Sequence, residues 1–401
     1  MKASTTSKNL FLNFSTLFSG LLVVQIINFA FSLLLPKYCS PFDFAEFGIF
    51  TAIVFILIEI VNAKLDIAVM IGEDENKAIE ILHAATTSAF VFTTVLLLIM
   101  LLFYLIIPSI YFLLPFVILM YGIHQPIIVL WNKNETYSHI NTFRILQVLS
   151  TSISTILLAM NTISHALIIG FCIGIIVATS YCIYFYFPKL QWVTTKNIWK
   201  QFDQFPKYGT WSALCNNFSR NSVPILLSAF FPANWVGFYA YATRLLNAPS
   251  GMYTSALGQL YFKKASELTL TELKKLTQKI SYISIFVSIV PTLIILFFGK
   301  EIFHFLFGNE WTEAGHVAQC LILWYFVGVI ITPISTILDI KNKLNEEFKY
   351  NFTLLIVRIM SILIGGIFGN FYFTIILFSC VSILLNLGLL YYIHTRLLQH
   401  D

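Results

Sequence analysis

The chain has 401 residues, 58% of them hydrophobic and 11% charged, with 39 phenylalanines and a mean hydropathy of +0.81. Soluble domains average about 45–50% apolar and 25% charged residues, so a water-soluble fold is excluded and the chain reads as a polytopic membrane protein. The net charge of +5 is small, and where the charges fall says more than their sum.

Met1 to Asn9 carries Lys2 and Lys8, and a charge-free run follows from Leu10. That run is too long for a signal-peptide core and lacks a small-x-small cleavage site, so it is expected to stay as the first membrane helix, with a cytoplasmic N-terminus. A spanning helix needs about 20 apolar residues. Twelve segments meet that length: 10–35, 43–63, 81–107, 110–131, 143–160, 164–187, 208–231, 235–261, 280–299, 312–338, 350–368 and 371–395. The fifth is diluted by Arg144 and Gln147, and Arg144 is assigned to an inner loop.

Of the 24 Lys and Arg residues, only Lys37 and Lys300 fall in outer loops, and only Arg220, Arg244 and Arg358 fall within spans. All others lie on the side of the N-terminus. Basic residues concentrate on the cytoplasmic side of membrane proteins, so the pattern supports both the helix number and cytoplasmic termini at both ends. Outer connections are short. The longest, Gly299 to Trp311, is expected to hold a short amphipathic helix at 302–307, and no loop is large enough for a catalytic domain.

The basic connection from Pro188 to Tyr208 divides six spans from six, giving expected domains at 1–190 and 191–401. A weak repeat supports the division: Ala45 to Phe50 opens the second span much as Val236 to Tyr241 opens the eighth. Two parallel six-helix halves, with a substrate site between them, are a recurrent transporter plan. The expected fold is therefore an all-α polytopic membrane protein with two pseudo-symmetric six-helix bundles.

Arg220 lies about 15 Å from the inner end of the seventh span, close to the midplane of a hydrocarbon core about 30 Å thick. Asn216 and Asn217 share its helix face at four- and three-residue spacing, and Pro224 one turn later frees a backbone carbonyl. Arg244 lies about 14 Å into the eighth span, flanked by Tyr241 and Asn247. Neither span contains Asp or Glu. An arginine at the bilayer centre costs roughly 2.5–3.5 kcal/mol on insertion scales, so it is expected to face a wet cavity and an anion. Its planar fork of donors suits phosphate oxygens. The competing reading gives each arginine a structural partner from another helix.

Arg358, about eight residues into the eleventh span, is a further substrate-binding candidate, or else snorkels to the surface. Lys64 stands at the inner mouth of the second span, placed to meet an anionic headgroup. Glu59, the one carboxylate well inside a first-half span, and Asp66 are the candidates for ion coupling, against simple pairing of Glu59 with Lys64. Tryptophans such as Trp131 and Trp311 fall at expected helix ends and read as interfacial belts. The six scattered cysteines read as small core residues. No phosphate-binding Gly-x4-Gly-Lys-Ser/Thr loop, His-Glu-x-x-His or nucleophile elbow occurs, so an enzyme is not expected, and no organic cofactor or metal is implied.

The stretch from Gln201-Phe-Asp-Gln-Phe-Pro-Lys-Tyr-Gly through Leu227-Ser-Ala-Phe-Phe, and Val236-Gly-Phe-Tyr-Ala-Tyr-Ala-Thr-Arg-Leu-Leu-Asn-Ala-Pro-Ser to Glu267, resembles the central signature of the bacterial polysaccharide transporter family. These are Wzx-type O-antigen flippases, within a superfamily that also holds multidrug antiporters and lipid II flippases. Phe307-Gly-Asn-Glu-Trp-Thr-Glu-Ala-Gly, Arg358, and more loosely Lys64-Leu-Asp66 add to the resemblance, although a lysine at 64 offers a point charge rather than a bidentate fork. The resemblance implies two bundles around a central cavity opening alternately to each side of the bacterial inner membrane. It implies an undecaprenyl-diphosphate-linked oligosaccharide as substrate. Coupling to a proton or sodium gradient is an expectation that rests on Glu59, and the expected partners are membrane lipids and the polymerase and chain-length proteins of the same pathway. Nucleic acid is not an expected partner. The first alternative is a cation-coupled drug antiporter of the same architecture.

Overall fold

A computed structural model describes residues 19–186, 196–265, 268–341 and 343–398. Among them the chain is all helix, in the order α1 (Ser19–Lys37), α2 (Pro41–Val61), α3 (Leu65–Ala68), α4 (Glu75–Leu102), α5 (Leu114–Lys133), α6 (Tyr137–Met160), α7 (Ala166–Tyr186), α8 (Lys196–Gln201), α9 (Thr210–Asn221), α10 (Val223–Ser228), α11 (Ala233–Ala265), α12 (Leu270–Phe307), α13 (Thr312–Ser335), α14 (Ile337–Ile340), α15 (Leu344–Ile367) and α16 (Phe371–Tyr392). The protein is a multi-pass membrane protein, and ten of these helical segments are long and apolar enough to span a bilayer.

Two of the twelve expected spans do not qualify, and they are the two that carry midplane arginines. The seventh is broken into α9 and α10 at Ser222, two residues before Pro224. Proline has no N–H to give the carbonyl four residues back, which here belongs to Arg220. The eighth, α11, is 33 residues long but too polar, with Thr243, Arg244, Asn247, Ser250 and Thr254 along its length. Two other expectations also change. The fifth span starts at Tyr137, so Arg144 lies inside α6 rather than in a loop. Residues 302–307 are the last turns of α12, not a separate helix. A Thr269–Glu272 capping box starts α12 and Gly308, at φ 89°, ends it. Gly299 between them packs against the Gly315 carbonyl without breaking the helix.

Contacts group the chain into two units, residues 1–31 with 49–221 and residues 32–48 with 222–401. This grouping assigns 191–221 to the first unit and 32–48 to the second, whereas the loop pattern placed its boundary at 190. In the first unit, the core near the α2–α4 connection is built from Leu65, Ala68, Val69, Ile81, Leu130, Phe143, Cys182 and Ile198. Trp131 packs into this cluster rather than forming a surface belt. Lys133 Nζ donates to the Gly72 carbonyl at 2.5 Å, tying α5 to the same connection.

In the second unit, Phe44, Tyr241, Phe303, Phe307 and Trp311 form an edge-to-face aromatic cluster. Trp311 is 1% exposed, again core rather than belt. The two halves of the sequence repeat meet here. A Cβ added at Gly237 would lie 1.8 Å from the Pro41 carbonyl oxygen, and Gly48 faces Ala240. A second core joins Tyr261, Leu273, Ile280, Ile334, Leu338, Leu389 and Ile393.

The contrast between two glycines of α11 tests this packing. Gly237→Ala is expected to lower stability by about 1–3 kcal/mol through overpacking. Gly251→Ala, with nothing within 4 Å of its Cβ, is expected to gain up to about 1 kcal/mol of helix propensity. Thermal unfolding of the purified variants in detergent measures both, and equal effects would contradict the close approach of Gly237 to Pro41.

Candidate functional site

Arg244 projects from α11 within the second unit. Its Nε donates to Ser32 Oγ at 2.9 Å, and its guanidinium lies 5.7 Å from the Phe47 ring centre. Tyr241, one turn before it, is fully buried and donates to the Ser32 carbonyl at 3.1 Å. These contacts use one of the five guanidinium donors. No carboxylate among the described residues pairs with Arg244. Asp43 lies in the same neighbourhood, but it accepts from the Ser40 N–H and hydroxyl, both at 2.8 Å, at the start of α2. Cys39 beside them is buried, and that burial, with Asp43, pushes its thiol up to about 12 against the pull of Arg244. Asn247, one turn further along α11, is exposed.

Arg220 belongs to the first unit and sits in the last turn of α9, exposed, with no hydrogen bond or ion pair to any described residue. One turn before it, the Asn217 carbonyl and side-chain oxygen accept from Asn221 Nδ2 at 3.1 and 3.0 Å. The side chain of Asn216 lies outside the described residues.

Arg358 is 7% exposed and does not snorkel. Its Nε donates to Ser382 Oγ at 3.0 Å, and its guanidinium lies 5.1 Å from the Trp324 ring centre and 5.3 Å from that of Phe378. Cation–π contact with a desolvated ring contributes about 2 kcal/mol, which accounts for an arginine buried at this position. Sequence reasoning missed the box because Trp324 and Phe378 come from α13 and α16.

Lys64 and Glu59 form an ion pair across the end of α2. Ala63 and Lys64 adopt left-handed backbone conformations, at φ 49° and 59°. These reverse the chain so that the α3 turn can bury Leu65 in the first-unit core. Asp66 follows on α3, and burial raises its carboxyl above the ordinary aspartate range, opposed by Lys64. Of the expected site residues, the structure therefore brings Lys64, Glu59 and Asp66 together in the first unit.

A family model described as "Polysaccharide biosynthesis protein" matches residues 42–316. The chain matches no curated protein sequence. The fold is shared with the lipid II flippase MurJ in its inward closed conformation, at TM-score 0.77 and 15% identity over 94% of this chain and 87% of that one. An inward-facing multidrug resistance MATE family transporter of the MOP superfamily matches at TM-score 0.66 and 11% identity, covering 92% of each chain. A MOP superfamily transporter from Pyrococcus furiosus, described as having a binding pocket of reverse polarity, matches at TM-score 0.65 and 11% identity over 96% of this chain and 95% of that one.

The raised carboxyl of Asp66 gives a pH dependence whose sign is fixed. The folded state holds the proton more tightly than the unfolded state, so the contribution of Asp66 is most favourable below the unfolded value of about 3.9 and is lost as pH rises through the folded value. Asp66→Asn is therefore expected to stabilise the protein at pH 7, with the gain shrinking as pH falls towards 4. Thermal unfolding across that range measures it, and a gain independent of pH would contradict the assignment.

Proposed function

Since the chain belongs to the polysaccharide biosynthesis protein family, with the family model matched over residues 42–316, we propose that it is a flippase for an undecaprenyl-diphosphate-linked oligosaccharide. On this reading it moves an O-antigen, capsule or exopolysaccharide repeat unit from the cytoplasmic to the periplasmic leaflet of the bacterial inner membrane by alternating access. The observation that carries the reading is the state of Arg220 and Arg244. Both lie well inside segments bounded by membrane helices, and neither is paired with a carboxylate among the described residues.

A guanidinium deep in a membrane segment stays charged and needs acceptors. A diphosphate supplies several charged oxygens, and Arg244 retains four of its five donors for them. Asn217 and Asn247 lie one turn away on their respective helices and are placed to hydrogen-bond sugar hydroxyls or phosphate. Arg358, held between Ser382 and two rings, contributes positive potential from a fixed position. Glu59 and Asp66 are the candidate ion-coupling residues, with Lys64, the candidate headgroup contact at the inner mouth, ion-paired to Glu59 and the raised carboxyl of Asp66 beside that pair.

A cation-coupled drug antiporter is the second reading, favoured by the fold shared with a multidrug transporter. The two differ in what the arginines do. Each hydrogen bond to a charged group contributes about 1.5–3 kcal/mol, so Arg220→Gln and Arg244→Gln should each slow flipping of a labelled prenyl-diphosphate sugar in proteoliposomes by roughly 10- to 100-fold. Arg244→Lys should retain part of the rate. Undiminished transport in the Arg220→Glu and Arg244→Glu variants would sink the flippase reading.

A further inference from the structure

A further arginine of the first unit is used by none of this. Arg144 is the eighth residue of α6, about 10 Å from the Tyr137 end. Its Nη1 is buried and has no hydrogen-bond partner, and no described residue hydrogen-bonds or ion-pairs with the rest of the guanidinium. Arginine cannot discharge itself by losing a proton. Buried polar groups in native structures nearly always have a partner, and each exception needs an explanation.

Arg144 is part-buried, and the residues that helix spacing and packing bring near it are polar. Asn141 and Gln147 flank Arg144 at three-residue spacing on the same face of α6. Gln147 hydrogen-bonds the Tyr121 hydroxyl of α5. The Tyr121 ring meets His124, whose Nδ1 lies 3.0 Å from Thr179 Oγ1, so the cluster extends to α7. On the other side, Gly20 of α1 lies so close that an added Cβ would fall 2.1 Å from the Asn141 amide. The one carboxylate well inside a first-unit span, Glu59, is taken by Lys64. Residues 1–18, which lead into α1, contain neither Asp nor Glu.

We propose that Arg144, with Asn141, Gln147 and Tyr121 around it, forms a binding site for a small inorganic anion inside the first unit. The site is separate from the candidate headgroup arginines, and its failure would leave the flippase reading untouched. A halide or a phosphate group meets the same requirement, a negative charge small enough to reach the buried Nη1 of a part-buried guanidinium.

The test uses the purified full-length protein in detergent. Its Tm is followed by intrinsic fluorescence as sodium gluconate is replaced, at fixed pH and ionic strength, by sodium chloride in one arm and sodium phosphate in the other. The proposal expects a saturable rise of roughly 2 °C or more in at least one arm. Arg144→Gln should abolish that rise, and Lys300→Gln, at the far end of α12, should keep it. Should Arg144→Gln fail to fold, Arg144→Lys carries the test, because it keeps the charge but loses the planar fork. A half-saturation concentration at least tenfold higher supports the site. No difference among the three anions in the wild-type protein, a rise retained in Arg144→Gln, or an unchanged half-saturation in Arg144→Lys overturns it.

Discussion

A guanidinium taken out of water must recover its lost hydration from fixed acceptors, from π-faces or from a bound anion, because it cannot neutralise itself. Four arginines of the described residues bear on this requirement: Arg358 is buried, Arg244 and Arg144 are part-buried, and Arg220 is exposed. Arg358 is buried with a serine hydroxyl accepting from its Nε and two aromatic rings beside its guanidinium. Arg244 is partly met by Ser32 and Phe47, with most of its donors left over. Arg220 and Arg144 have no partner among the described residues. The incomplete solutions are the ones that point to a ligand.

The backbone is adapted to the same constraint. The break between α9 and α10 frees the Arg220 carbonyl one turn before Pro224, and polar residues line α11 around Arg244. Both features make these segments poor lipid-facing helices. The apolar load of the membrane is carried by the other ten, above all by α12, whose exposed face presents Phe286, Val290, Leu293, Ile294 and Phe297.

Much of this was legible in the sequence. The spans and their punctuation follow from hydropathy and from Pro224. The Glu59–Lys64 pair was one of two readings open at five-residue spacing. What could not be read depended on distant partners or on the absence of a stop signal. Ser32 meets Arg244 across 212 positions, and the rings around Arg358 come from two other helices. Gly299-Lys300-Glu301 looks like a loop, yet α12 continues because Gly299 packs on α13 and no positive-φ residue intervenes before Gly308. Arg144 was counted with an inner loop because it stands at the edge of a span diluted by Gln147 and by Ser and Thr residues, whereas α6 begins seven residues before it.

The account stands or falls on whether the arginines of α9 and α11 hold an anionic headgroup. Native mass spectrometry of the purified protein with a prenyl diphosphate, the matching prenyl monophosphate and the uncharged prenol tests this directly. The expected order of retention is diphosphate, then monophosphate, then alcohol, with the preference lost when Arg220 and Arg244 are both changed to glutamine. Equal retention of all three lipids, or a preference unchanged in the double variant, would contradict it.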